Sequence, residues 1–486
     1  MPAKNVNSSL WEPVIGLEVH VQLNTNSKIF SSAPVTVSVE PNRAANAVDL
    51  ALPGTLPVLN KKVVEKAILF GMATAGRIAS RCRFDRKNYF YPDLPKGYQI
   101  TQLTEPIIEG GTLEVRVDDG SIRQVELVRA HLEEDAGKSI HGKYAGKTGI
   151  DLNRAGTPLL EVVTAPQLNT PDEASACFRT LHRLVTWLDI CDGNLNEGSM
   201  RCDANISVRR HGETQLGERT EIKNLNSFRF VERALKHEID RQISILETGG
   251  EIVRETRLYD VERDETRSMR GKELAHDYRY FPDPDLLPVA ITQEMIRAAR
   301  SAMPELPEAR CSRYIDELGL PAETAHRLTQ EKAFSDYFES AFAIAGNAKL
   351  TANWVLGNVA ATLNRNEISI ENLQLSGPQL GEIVKNIVDG IVSDASAKQV
   401  FEHVLATKSN VADAIGQQRE SLMSDERDLK ALVQRVLDGN PIQVEEYRKG
   451  KKKILGYLVG QVMSAAKGKI DPKKVNQALT EILASD

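Results

Sequence analysis

Val14–Leu23 reads V-I-G-L-E-V-H-V-Q-L and alternates strictly. Ile15, Leu17, Val19, Val21 and Leu23 fall on one face of a strand, and Gly16, Glu18, His20 and Gln22 on the other. Successive strand side chains point to opposite faces, so Glu18 and His20 stand side by side, about 7 Å apart. A carboxylate and an imidazole converging on one point suit a divalent metal. The same pattern also suits the solvated face of a half-buried strand. The rest of the chain decides between the two.

Three other segments repeat the placement. In V-R-A-H-L-E-E-D-A-G-K, His131 and Glu133 share a strand face, at the end of a hairpin whose turn is expected at Asp118-Asp119-Gly120. In D-L-N-R-A-G-T-P-L-L-E-V-V, Glu161 is flanked on its own face by Leu159 and Val163. An unpaired charge among apolar groups is costly, so Glu161 should pair with a base or ligate a cation. In E-G-S-M-R-C-D-A-N-I-S-V-R, Arg201, Asp203 and Asn205 form a polar row that fits either an exposed edge or a phosphate-and-metal contact. Lys28, in the turn after the first strand, and Lys223, in E-I-K-N-L-N-S-F, join that row as candidates for nucleotide contacts.

Two aromatic and charged stretches lie between these strands. F-D-R-K-N-Y-F-Y-P-D-L-P-K-G-Y-Q-I-T sets Tyr89, Phe90, Tyr91 and Tyr98 among Arg86, Lys87 and Lys96. M-R-G-K-E-L-A-H-D-Y-R-Y-F-P-D-P-D-L carries Arg270, His276, Asp277, Arg279, Asp283 and Asp285. Such loops are either pinned by aromatic anchors or form walls that stack on a base. Two helices are marked by start signals, one at Thr170-Pro171 with Glu173 and one at Asn226 or Ser227. His182, off the first helix's apolar stripe, reads as surface.

Bulk properties narrow the class. The 486 residues call for several domains, and a net charge of -6 excludes a chain that is basic throughout. The five cysteines form no C-x-x-C pair, and no apolar run has the length of a membrane helix. Free thiols and an N-terminus without a signal peptide point to the cytoplasm. No standard phosphate loop occurs, so a nucleotide bound here must be held by the sheet face and its metal. No constellation for a Ser, Cys or His nucleophile is found.

From about Pro288 strand alternation gives way to helical periods. Trp354, in A-N-W-V-L-G-N-V, reads as core. Near the end, Arg448, Lys449, Lys451, Lys452, Lys453, Lys467 and Lys469 form the strongest basic cluster. No acid lies among them, and Ile454, Leu455, Leu458, Val459, Val462 and Met463 supply a core stripe. The cluster is either a solvated face or a contact to a nucleic-acid backbone.

The strand-face and aromatic motifs together resemble the B-subunit family of the bacterial-type aspartyl/glutamyl-tRNA(Asn/Gln) amidotransferase. H-D-Y-R-Y-F-P-D-P-D-L completes the set, which covers nearly all of the first 290 residues. The helical remainder fits more in layout than in motif. The resemblance implies an α+β fold. A strand-rich, cradle-type catalytic domain over 1–292 would be followed by an all-α domain over 293–410 and a small all-α tRNA-binding tail over 411–486. It implies ATP- and magnesium-dependent phosphorylation of the side-chain carboxylate of Glu-tRNA(Gln) or Asp-tRNA(Asn). Amidation would follow, in a heterotrimer with an amidase component that supplies ammonia and a small third component. By resemblance, Glu18, His20, Glu133 and Glu161 are the catalytic magnesium site.

Some family members hold a cysteine-paired zinc ahead of the L-P-G turn. Here that region reads N-R-A-A-N-A-V-D-L-A-L-P-G, so no zinc is expected, and packing should hold the loop instead. Two rival readings are a non-catalytic tRNA-binding scaffold and a stand-alone ATP-dependent carboxylate–amine ligase. The second would leave the basic tail without a purpose.

Overall fold

The computed structural model describes residues 10–36, 40–269, 278–449, 451–452, 454–466 and 472–485. The chain divides into two compact units, Met1–Ser312 with Gln330–Lys332, and Arg313–Thr329 with Ala333–Asp486. The first is built on strands and the second on helices.

The opening stretch becomes β1, Trp11–Gln22. It lies inside a ten-stranded sheet, hydrogen-bonded on one side to β5 (Pro158–Thr164) and on the other to β6 (Met200–Arg210). Both pairings are antiparallel. Beyond β5 comes β4, Ile122–Glu134. Beyond β6 come β7 (Thr220–Leu225), β8 (Glu255–Asp260) and β9 (Glu265–Ser268), with β7 and β8 parallel. A separate small sheet joins β2 (Asp85–Asn88), β3 (Tyr98–Thr101) and β10 (Phe281–Pro282).

Alternation decides which face of the large sheet is covered. Ile15, Leu17, Val19 and Val21 of β1, with Cys202, Ala204 and Ile206 of β6, are at most 1% exposed and belong to one core. Helix α1 (Lys61–Ala73) reaches that core through Ala67 and Ile68. Helices α2 (Pro171–Trp187) and α3 (Phe228–Glu247) bring Phe178, Leu181, Val231 and Leu235 to it. At α2 the Thr170 hydroxyl accepts from the Glu173 N–H at 3.1 Å, satisfying a helix-end donor. At α3 Ser227 does the same for Phe230 at 3.2 Å. The hairpin turn falls where expected, with Gly120 at φ +87°, a conformation that costs glycine little. The helices take the apolar face, so the polar residues of β1, β4, β5 and β6 share the other one.

Two expectations change. The first unit runs past residue 292, because Met295, Ile296 and Ala299 of the following segment pack into its core. The tail forms no separate unit. Helix Val411–Asp438 starts with Val411, Ala414 and Ile415 buried and ends in a second cluster. There Leu429, Val433 and Leu437 meet Leu458, Val462, Val475 and Leu479. A boundary at 410/411 thus falls at the cap of a helix whose far end belongs to the tail. In the helical unit Trp354 is 2% exposed and edge-on to Phe401, as a core residue should be.

Candidate active site

Register gathers the polar residues. His20 of β1 lies opposite Glu161 of β5, and Glu161 lies opposite His131 of β4. On its other side His20 faces Arg201 of β6. The row Arg201–His20–Glu161–His131 therefore crosses four neighbouring strands on one face. Glu133 enters two positions along β4. His20 Nε2 is 3.5 Å from both Glu133 Oε1 and Glu161 Oε2. One donor atom each from His20, Glu133 and Glu161 lies within 4.8 Å of the other two. Among the described residues this is the cluster with metal-ligand spacing.

The electrostatics follow from crowding. Burial pushes the Glu161 carboxyl up, but the charge and hydrogen bond of His131, with those of His20, hold it well below its ordinary range. Burial works against a proton on His20, yet the hydrogen bond and charge of Glu161 and the charge of Glu133 raise it to about 9. Thr101 of β3 donates to Glu133 Oε2 at 3.2 Å, tying the small sheet to the cluster. Lys87 of β2 feels Glu133 and Glu161, which raise its pKa against the effect of burial, and its ammonium lies 4.9 Å over the Tyr278 ring.

Glu18 is not in the three-residue set. Its Oε1 accepts from Asn205 Nδ2 at 2.8 Å, and burial, then the Glu161 charge, push its carboxyl up. Asp203 lies opposite Glu18 and receives Lys223 Nζ at 3.0 Å, while Lys223 also meets Glu221 at 3.0 Å. Arg201 reaches Asp135 at 3.0 Å. Thus Glu18, Arg201, Asp203, Asn205 and Lys223 extend the polar face as a paired network beside the cluster.

Lys28 departs from its expected place. It is fully buried, 3.3 Å from Asp49 and 3.4 Å from the Leu152 carbonyl. Its charge is answered by Asp49 and that backbone carbonyl. The same contact corrects the packing expectation for the region ahead of L-P-G. Asp49 also accepts from Ser31 at 2.9 Å, Asn42 donates to the Ile150 carbonyl, and the Ala44 N–H reaches Asn153. Polar pins hold this loop. His182 is likewise more than surface: its Nε2 lies 2.9 Å from the Gly193 carbonyl and its ring is edge-on to Phe228.

The aromatic stretches divide. Asp283 and Asp285 hold Arg86 at 2.9 and 2.8 Å, which docks β10 on β2. Phe90 is 88% exposed. Arg270, His276 and Asp277 lie outside the described residues, as do Lys453, Lys467 and Lys469 of the tail. Of the remaining tail cations, Lys449 pairs with Glu445 and Lys451 with Glu446, each at 2.6 Å. The acids stand just ahead of the basic run, which a search within the run misses. His131 was visible only as the neighbour of Glu133. Its approach to Glu161 depends on the β4–β5 register, which no single strand discloses.

A strand-rich body that gathers carboxylates and imidazoles on one sheet face, ahead of a helical body, has the layout of a catalytic domain with a helical extension. A family model described as the GatB/GatE catalytic domain matches residues 13–297, and one described as the GatB domain matches residues 336–483. The B subunit of the aspartyl/glutamyl-tRNA(Asn/Gln) amidotransferase of Bordetella pertussis is 55% identical over 482 residues, covering 97% of this chain and 99% of that one. The B subunits of Halorhodospira halophila, 51% identical over 474 residues, and Burkholderia vietnamiensis, 52% over 486, are covered to the same extent. The chain belongs to the family of aspartyl/glutamyl-tRNA(Asn/Gln) amidotransferase B subunits.

Proposed function

We propose that the polar sheet face activates the side-chain carboxylate of Glu-tRNA(Gln), Asp-tRNA(Asn) or both by ATP-dependent phosphorylation, with ammonia then replacing the phosphate. The chain would do so within a heterotrimeric, glutamine-dependent amidotransferase, beside an amidase component and a small third component. The observation that carries this reading is the convergence of His20, Glu133 and Glu161, in a chain of this family.

The donor set fits a divalent cation. Two carboxylates with one imidazole, in a half-buried setting, leave coordination positions for phosphate oxygens, as magnesium sites in phosphoryl transfer do. His20, Glu133 and Glu161 would hold the ion. When bound, it neutralises charge on the phosphoryl group in transit.

The chain's own residues supply the rest. A carboxylate is a poor electrophile because its leaving group would be oxide, and phosphorylation provides a better one. Arg201 and Lys223 present positive charge beside the cluster, shared with Asp135 and Asp203, so they orient phosphate groups without a phosphate loop. Glu18, held by Asn205, continues the acidic row and positions its neighbours. Thr101, donating to Glu133, ties the small sheet to one side of the cluster. Arg448 and Lys452 belong to the basic tail that would contact the tRNA backbone.

The test uses the assembled complex, ATP labelled at the γ-phosphate and mischarged tRNA. Glu133→Ala should lose tRNA-dependent transfer of the label while still binding tRNA. Transfer at the wild-type rate would overturn the site assignment. Loss of tRNA binding alone, with transfer intact at saturating tRNA, would favour the scaffold alternative for this face.

A further inference from the structure

Resting on the cation-site reading above, we infer that His131 is a positioning residue that fixes the Glu161 carboxylate for the cation. His131 lies directly across β4–β5 from Glu161, on the side opposite His20. Its Nε2 is 3.2 Å from Glu161 Oε2, the oxygen that His20 Nε2 meets at 3.5 Å. The same nitrogen is 3.9 Å from Glu133 Oε2. The ring is 4% exposed, and its Nδ1 is buried with no hydrogen-bond partner.

That orphan nitrogen is informative. Leaving a buried polar atom unmet is costly, and an apolar side chain of the same shape would avoid the cost. The ring's polar contacts all run through Nε2 to the two carboxylates. A ligating His20 must turn the lone pair of its Nε2 toward the ion, so it stops donating to Glu161. His131 would then be the imidazole left to hold Oε2, leaving the rest of the carboxylate to the ion. Groups that orient ligands in this way tune metal affinity as strongly as some ligands do.

Manganese serves as the probe, because its unbound ion is read directly by electron paramagnetic resonance, independently of turnover. The assembled complex is compared as wild type, Glu161→Ala, His131→Phe and His131→Gln, each with its thermal midpoint measured. His131→Phe keeps the ring shape and removes the donor, and it should weaken manganese binding about 10- to 100-fold. His131→Gln places an amide N–H near the former Nε2 and should stay within about threefold of wild type, a small part of the usual effect of losing such a partner. Wild-type affinity in His131→Phe overturns the inference, provided Glu161→Ala has lost binding. Equal losses in the Phe and Gln variants also overturn it, since a donor-independent loss is a packing effect. If Glu161→Ala itself binds manganese normally, the cation-site reading fails before His131 is at issue.

Discussion

The sheet face and the basic tail were both marked by runs of charged residues, yet the fold treats them differently. On the sheet, residues far apart in sequence meet across strands, and His20, Glu133 and Glu161 end within 4.8 Å of one another. In the tail, acids four and five residues earlier in the chain answer Lys449 and Lys451. Strand phase states where a side chain must point. A charge run states only what the sequence contains. Long-range register assembles a site, whereas helical neighbours partly cancel one another.

The comparison can be broken first at a buried carboxylate that has no site. Glu238 of α3 is fully buried, between Arg241 at 2.6 Å and Arg257 at 3.3 Å, with Thr266 and Gln242 donating to it. Glu238→Ala should destabilise the fold by about 3–5 kcal/mol, the usual result of stripping one partner from a buried pair. Urea unfolding reads this, and a loss under ~1 kcal/mol would show that the network is ornamental. The pH dependence has a definite sign. Burial pushes the Glu238 carboxyl up, but the hydrogen bonds of Arg241 and Gln242 outweigh it and leave it below its ordinary value. Its contribution is therefore complete above the unfolded carboxyl's pKa and is lost as pH falls through the lower folded value. Glu238→Gln should flatten the acid side of the stability profile.

Next in size is the polar sheet face. Glu161→Gln keeps the shape of the side chain that both histidines touch but removes its charge, and should slow carboxylate phosphorylation about 100- to 1,000-fold. Stability should change far less than in Glu238→Ala. An equal loss of stability with little loss of rate would reduce the sheet face to a structural ion network.

Lys28→Met sharpens the correction made by the fold. It should cost about 1–3 kcal/mol, the penalty for leaving the buried Asp49 short of a partner, while the KM for ATP stays unchanged. A raised KM with normal stability would return Lys28 to the nucleotide.

The smallest effects are expected in the tail. Replacing Lys452 by Ala should weaken tRNA binding evenly across sequences and lower the salt slope by about one. Lys449→Ala, which also frees Glu445, should change the slope less. Equal slopes for the two variants would mean that the local ion pairs do not compete with phosphate.

Much of this was legible in the sequence. The apolar face of β1 and β6, the caps at Thr170 and Ser227 and the hairpin at Gly120 are local consequences of alternation and turn chemistry. So was the suspicion attached to His20, Glu133 and Glu161, because each sits on a polar strand face. What the sequence withheld were pairings. Whether Glu18 ligates or merely borders depends on Asn205, across the β1–β6 register. Lys28 looked available until Asp49 folded over it. The first unit's end was hidden for the same reason, since the segment after 292 returns to a core laid down much earlier.

The position of β1 also sets a schedule. Its His20 pairs with Glu161 of β5 and Arg201 of β6, both far downstream in the same unit. Closing so long a loop delays the pairing, and contacts of high sequence separation form late. At ribosomal rates of roughly 5–20 residues per second, β1 waits on the order of 10–40 s for β6 to be synthesised. β5 offers one edge of β1 a partner earlier, and β6 closes the other. The cluster of His20, Glu133 and Glu161 draws only on β1, β4 and β5, so it is complete in sequence before β6 closes the other edge of β1.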